Sequence, residues 1–256
     1  MTILQSLVLG IVEGVTEFLP ISSTGHLILV SEFLKITQSN FVKSFEIIIQ
    51  FGAILSVVVL YWKSFLNINI LKKIIAAFIP TGIVGFILYK TIKTYFIGNQ
   101  NLVLWALFLG GIALIIFELW HKESEKDSDD ISQISYKQSF WIGLCQSIAI
   151  IPGISRSAAT IVGGLLTGLK RKTIVEFSFL LAVPTMLGAT GLDLVKNVNS
   201  FSKDQFWVLV IGFVISFFVA MASIKFLLGF IKKHDFIPFG IYRIILAIIF
   251  WIIILK

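Results

Sequence analysis

Six apolar runs long enough to span a bilayer constrain this chain more than any other feature: 45–62, 74–96, 101–120, 174–195, 206–230 and 236–255. About 20 helical residues cross the roughly 30 Å of bilayer hydrocarbon. In lipid every backbone polar group must be satisfied internally, so such runs fold as helices. Charged residues make up only 14% of the 256 residues, and hydrophobic ones 57%. A soluble domain carries about 25% charged residues, so this surface is too poor in charge to face water. The chain reads as an all-α integral membrane protein forming a single polytopic domain.

Two further apolar regions are broken in the middle, 3–33 at Pro20 and 140–169 at Pro152-Gly153. Each half is too short to cross, so each region is expected to be a helical hairpin that enters the membrane and returns. Irregular backbone at that depth is tolerated only where protein or a water-filled cavity surrounds it. Positive charge agrees. With Lys63, Lys72 and Lys73 cytoplasmic, re-entry at the second break keeps Lys170, Arg171, Lys172, Lys232 and Lys233 on the same side, as the positive-inside rule asks. The first hairpin then enters from the outer side and the second from the inner.

The net charge of +7 is carried mostly between apolar runs, which argues against nucleic acid as a partner and for an orientation signal. A single cysteine, Cys145, excludes an internal disulfide or a cysteine metal cluster. The N-terminus lacks a basic n-region and an A-x-A site, and Glu13 interrupts its apolar run, so no cleavable signal peptide is expected. Nothing in the sequence fixes an oligomeric state.

The broken regions are related. "GIVEGVTEFLPISST" from Gly10 aligns without gaps on "GLCQSIAIIPGISRS" from Gly143, so that Glu13 meets Gln146, Ser22 meets Ser155 and Ser23 meets Arg156. After one gap, "FEIIIQFGAIL" from Phe45 meets "FSFLLAVPTML" from Phe177. The expected plan is two inverted-topology repeats, about 1–120 and 140–256, each a re-entrant hairpin plus three spans, joined by a polar loop at 121–139. Transporters built this way bind substrate near the midplane, where broken helices meet.

The breaks also hold the chemistry. Glu13 and Glu17 share one helical face, where like charges repel and a carboxylate in lipid is costly. A bound cation, a shared proton or a guanidinium is needed to compensate, unless the pair merely reaches the headgroups. In "PISSTGH", Pro20 and Gly25 break the helix and present backbone N–H groups beside the hydroxyls of Ser22, Ser23 and Thr24, a turn able to cradle an anion. His26 is the only histidine inside an apolar region. In "PGISRSAAT", Arg156 requires an anionic partner, either a glutamate in a structural ion pair or a phosphate gripped by the guanidinium fork. Gly153 allows close backbone approach, and Ser155, Ser157 and Thr160 add hydroxyl donors. Glu46, Glu118, Glu176, Asp193 and Arg243 lie at or within span ends and are assigned no role, Arg243 being notable for its apolar surroundings.

"EGVTEFLPISSTGH" and "PGISRSAAT", with "EFSFLLAVPT" from Glu176, closely resemble the bacterial undecaprenyl-diphosphate phosphatase (bacitracin-resistance) family along essentially the whole chain. Glu13 and Glu17 meet its (E/Q)-x-x-x-E pattern, and residues 152–160 meet P-G-x-S-R-S-x-x-T. The resemblance implies an enzyme of the bacterial inner membrane, with its site facing the outer side. It would remove one phosphate from the polyprenyl lipid undecaprenyl diphosphate, recycling the carrier for envelope polymers and raising bacitracin resistance. It also implies dependence on a divalent cation, Mg²⁺ or Ca²⁺.

On that reading Arg156, with Ser155, Ser157, Thr160 and hairpin N–H groups, holds the phosphates. Ser22, Thr24, Gly25 and Gly153 complete the substrate cradle, and Glu13 and Glu17 carry the cation. Ser23 is the expected nucleophile with His26 as its base. A phosphohistidine at His26 and direct attack by water are the alternatives. Membrane lipids surround the spans. The competing function is a transporter or flippase for a lipid phosphate or another anion.

Overall fold

A computed structural model describes residues 1–91, 96, 99–124, 127–197 and 205–254, with the side chains at 40, 89–91, 189–197 and 254 outside that set. Parts of the expected spans at 74–96 and 236–255 therefore lie outside the described residues, as do the side chains of Asp193 and its neighbours at the end of the span at 174–195.

Eleven helices carry the described chain: α1 (Ile3–Thr16), α2 (Ser23–Phe33), α3 (Asn40–Leu60), α4 (Trp62–Leu66), α5 (Ile68–Thr91), α6 (Gln100–Trp120), α7 (Tyr136–Gln146), α8 (Arg156–Leu165), α9 (Arg171–Asn197), α10 (Phe206–Phe230) and α11 (Ile237–Ile254). Among the described residues the only strand-like pairing is an isolated bridge between Ser128 and Leu169. Four helical segments are long and apolar enough to cross a bilayer: Phe41–Leu60, Ile68–Leu88, Gln100–Trp120 and Phe206–Phe230. The other two expected spans are not in that set. The apolar part of α11, Ile237–Ile253, is shorter, and α9 opens on Arg171, Lys172 and Glu176.

Local chemistry starts the two broken regions in the same way. Thr2 caps α1 in a reciprocal box with Gln5, and Ser135 caps α7 in the same box with Gln138. Each box satisfies two orphan helix N–H groups at once.

Helix packing crosses between the two halves of the chain. The helix α10 lies against α1 and α3, and α5 lies against α7 and α9. Two further pairs, α3 with α9 and α6 with α11, join counterparts. Small residues permit the close approaches. A Cβ on Gly10 would sit 2.8 Å from the Gly212 carbonyl oxygen of α10, and one on Gly143 only 1.8 Å from the Ala77 oxygen of α5. Hydroxyls then reach across. Ser6 donates to the Val208 carbonyl at 2.6 Å, and Thr81 donates to the Gly143 carbonyl at 2.8 Å. This is the small-residue and hydroxyl packing of membrane helices.

The main core gathers Phe18, Phe177, Phe179, Leu180 and Phe236 about the inner ends of the broken regions. The opposite faces are apolar and exposed, as at Phe86 on α5, Leu109 on α6, Phe218 on α10 and Ile252 on α11. Exposed apolar surface on this scale belongs against lipid rather than water.

One end of the bundle is bound by charge. Arg171 forms ion pairs with Glu118 at 2.7 Å and Glu123 at 2.6 Å, and Lys170 pairs with Asp129 at 3.3 Å. Lys73 donates to the Ser132 carbonyl. Lys73, Glu118, Glu123, Asp129, Ser132, Lys170 and Arg171 thus share one face.

Candidate active site

The two breaks carry the same unusual turn. Ser22 has φ 71° and accepts a hydrogen bond from the Gly25 N–H, capping α2. Ser155 has φ 77° and accepts from the Ala158 N–H, capping α8. Each such non-glycine residue costs about 1–3 kcal/mol of backbone strain, and strain of this kind gathers where function demands it. Gly153, at φ 97°, brings the second break against α6, where a Cβ would meet the Val103 carbonyl oxygen at 2.7 Å.

These turns bring the two broken regions together. Arg156 Nη2 lies 2.7 Å from Glu17 Oε1, and its Nη1 donates to the Ser178 carbonyl at 2.9 Å. The other Glu17 oxygen accepts from the Ser23 hydroxyl at 2.6 Å. Arg156 Nε is buried with no hydrogen-bond partner, a donor still available to an anion. Ser157 donates to the Phe18 carbonyl at 2.8 Å, a second tie between the two broken regions. Thr160 is buried behind Arg156, bonded to Ser178 Oγ at 2.6 Å and donating to the Arg156 and Ser157 carbonyls.

His26 is placed otherwise than its spacing from Ser23 suggests. Its Nδ1 lies 2.7 Å from the Ser22 carbonyl, which can only accept, so Nδ1 carries the proton. In the neutral ring Nε2 then accepts from the Tyr242 hydroxyl at 2.8 Å, and the two rings stack within 3° of parallel. Ser23 turns instead to Glu17. Thr24 is exposed, whereas Gly25 is buried beneath Leu107, which leaves its own Cβ position only 3.3 Å away.

Glu13 is fully buried, and its carboxylate oxygens meet no donor group; the Glu17 carboxyl lies close enough to share a proton with it. Its charged neighbours include Glu17, Glu46 and Arg156. At the aligned position of the other hairpin, the Gln146 amide donates to Thr81 at 2.9 Å and Thr185 at 3.1 Å.

Comparison with known proteins decides the family. The description "Bacitracin resistance protein BacA" matches residues 6–249. The chain belongs to the BacA family. It is 56% identical over 252 residues to the undecaprenyl-diphosphatase of Sulfurihydrogenibium sp. (strain YO3AOP1), covering 98% of this chain and 99% of that protein. Identity to the Persephonella marina undecaprenyl-diphosphatase is 53% over the full length of both chains, and to that of Aquifex aeolicus 52%, covering 98% of each.

The two motif stretches of this BacA-family chain meet at Glu17 and Arg156. A divalent cation fits the residues present in part. Orphaned oxygens on a buried carboxylate suit a hard cation, and Glu13 supplies two, but those of Glu17 are engaged by Arg156 and Ser23. Among the described residues no cluster of three acidic, histidine or cysteine side chains forms a ready-made site. Substrate oxygens and water would have to complete the shell.

Sequence reading missed Tyr242 and gave Arg243 no role. Both lie on α11, outside the two motif stretches. A tyrosine beside an arginine in an otherwise apolar span was the available signal. Of the other unassigned residues, Glu118 is the buried partner of Arg171.

Proposed function

We propose that this BacA-family chain hydrolyses undecaprenyl diphosphate to undecaprenyl phosphate and inorganic phosphate, returning the lipid carrier to envelope synthesis and so raising bacitracin resistance. Full-length identity to several proteins named undecaprenyl-diphosphatase supports the activity. The observation that carries the chemistry is the Glu17 carboxylate shared between the Ser23 hydroxyl and the Arg156 guanidinium. It joins a nucleophile, a proton acceptor and a hydrogen-bond donor for an anion at one point.

In this reading the incoming phosphate takes the free Nε of Arg156 and competes with Glu17 for Nη2. Bidentate contact of that kind suits phosphate. Ser23 Oγ attacks the terminal phosphorus while its proton passes to Glu17 Oε2. The bond to the bridging oxygen breaks, and undecaprenyl phosphate leaves, its oxygen able to take the proton from Glu17. Water then attacks the phosphoserine, giving its proton to Glu17 as Ser23 Oγ departs and is reprotonated. The helix starts at Ser22 and Ser155, with Gly25, Gly153, Ser157 and Thr160, shape the cradle, and Thr24 lies at its exposed edge. His26 orders the turn through the Ser22 carbonyl. Glu13 and Glu17 would hold Mg²⁺ or Ca²⁺, which when bound offsets phosphate charge.

The architecture proposed is two inverted repeats, each a re-entrant hairpin followed by three spans. Its support is the matched capping boxes, the matched turns at Ser22 and Ser155, and helix packing that is preserved when the halves are exchanged. The charge-bound face at Lys73, Lys170 and Arg171 is assigned to the cytoplasm, in an inner membrane, with the catalytic site opening outward. A flippase or transporter draws support from the repeat alone and leaves the Ser23–Glu17 pair without a task.

Phosphate release from undecaprenyl diphosphate by purified protein in detergent, with Mg²⁺, Ca²⁺ or EDTA, tests the reading. Cation-dependent release that disappears in Ser23→Ala and Arg156→Ala is expected. A phosphorylated intermediate trapped on Ser23 favours it over phosphohistidine, and no trapped intermediate favours water. Folded protein that binds the lipid but releases no phosphate sinks the enzyme and leaves the transporter.

A further inference from the structure

Arg243 on α11 is buried completely. Its guanidinium donates to the Pro20 carbonyl at 3.3 Å, the Gly153 carbonyl at 3.0 Å and the Ala106 carbonyl of α6 at 3.0 Å. Among the described residues no carboxylate pairs with it, and Nε has no partner. A cation buried without a counter-charge is costly, and simple packing between α6 and α11 would be served better by leucine. Space has been made for this group. A Cβ on Gly110 would lie 2.1 Å from Nη2.

Two of its three acceptors occupy aligned positions in the breaks. Gly153 stands to Ser155 and Arg156 as Pro20 stands to Ser22 and Ser23. One rigid, planar donor therefore holds equivalent carbonyls of both turns. Three residues after those carbonyls come the residues that must meet for chemistry, Ser23 on one turn and Arg156 on the other. A guanidinium suits this task because its donors are fixed in one plane, whereas an ammonium on a flexible stem fixes no such spacing.

We propose that Arg243 is a positioning residue, holding the two chain breaks at the spacing at which Glu17, Ser23 and Arg156 meet. The role rests on the phosphatase reading above. Arg243 itself touches neither the nucleophile nor the ion pair, and acts through Pro20 and Gly153. Displacements of about 1 Å in a catalytic constellation can cost on the order of 100-fold in rate.

The experiment is the steady-state kinetics of phosphate release from undecaprenyl diphosphate for wild type, Arg243→Met, Arg243→Lys and Gly110→Ala, each checked for monodispersity and thermal midpoint. Arg243→Met is also measured in an Arg156→Lys background. Arg243→Met should lower kcat by about 100-fold with KM changed less than about threefold, and Arg243→Lys should recover about tenfold. Gly110→Ala keeps the charge but displaces the guanidinium, so kcat should fall in it too. In the Arg156→Lys background, Arg243→Met should cost less than about fivefold, because residues acting as one unit are not additive.

A loss that multiplies equally in both backgrounds is that of an inactive fraction and overturns positioning. So does wild-type kcat in Arg243→Met or in Gly110→Ala. If Arg243→Met does not fold, Arg243→Lys and Gly110→Ala decide: reduced kcat in folded protein supports the role, and unchanged kcat ends it. Wild-type protein that releases no phosphate overturns the phosphatase reading, and the positioning role with it.

Discussion

Glu17 and Arg156 stand 139 residues apart in the chain, and their charged groups lie 2.7 Å apart in the fold. The pair is nearly closed to solvent, so removing one member leaves the other charge buried and unpaired, at a cost of about 3–5 kcal/mol. Removing both is milder. Glu17→Gln and Arg156→Met should each lower the thermal midpoint in detergent, and the double variant should lie above the sum of the two shifts. All three should lack phosphate release. A double variant with strictly additive shifts would show that the contact does not couple the hairpins.

How far this pair was legible in the sequence is instructive. The alignment of "EGVTEFLPISST" on "QSIAIIPGISRS" identified both turns, because proline, glycine and hydroxyl residues punctuate apolar runs in only a few ways. Glutamate as a structural partner for Arg156 was an open alternative, since the demand of a buried cation for an anion is local chemistry. Which glutamate it would be was not legible, and neither was the turning of Ser23 to Glu17 rather than to His26. Those depend on side-chain directions at a non-helical turn, where sequence spacing says little. Tyr242 and Arg243 meet the site from α11, more than 200 residues along the chain from His26 and Pro20. Apolar periodicity places such a helix in the membrane without saying what it touches.

Tyr242 gives the next test. Its hydroxyl is the donor to His26 Nε2, and its ring stacks on the imidazole with centroids 5.5 Å apart. Tyr242→Phe keeps the stack and removes only the donor. One neutral hydrogen bond contributes about 0.5–1.5 kcal/mol, so a two- to tenfold fall in kcat is expected, at about 1.4 kcal/mol per tenfold. His26→Gln, which loses the ring and its contact with the Ser22 carbonyl, should be more severe. Equal losses in the two variants would mean that the ring has no role beyond its bond to Tyr242.

The glycine contacts predict an asymmetry between the halves. An alanine at Gly143 would drive its Cβ to 1.8 Å from the Ala77 oxygen, against 2.8 Å from the Gly212 oxygen for one at Gly10. Both clashes are with backbone, so relief requires helices to separate. Overpacking typically costs about 1–3 kcal/mol and occasionally more. Gly143→Ala should be the more destabilised of the two, since parting α5 from α7 also lengthens the Thr81 bond to the Gly143 carbonyl. Thermal midpoints of the two variants in one detergent check the order, and a reversed order would count against the α5–α7 contact.

Glu13 and Gln146 occupy aligned positions with opposite outcomes. The Gln146 amide nitrogen donates to the hydroxyls of Thr81 and Thr185, while its oxygen, like those of Glu13, has no partner; the group there is neutral and carries no charge to offset. Glu13 is equally buried and has no donor at either oxygen. Its ionised form therefore calls for a cation, and Glu13→Gln removes that call while preserving shape. The variant should need at least about tenfold more Mg²⁺ or Ca²⁺ for half-maximal phosphate release, a shift of about 1.4 kcal/mol in apparent cation affinity. Cation-induced thermal stabilisation, which follows from binding to the folded state alone, should weaken in parallel and requires no turnover to detect. An unchanged cation titration in Glu13→Gln, with stabilisation intact, would move the cation away from Glu13 and leave this carboxyl neutral, holding a proton.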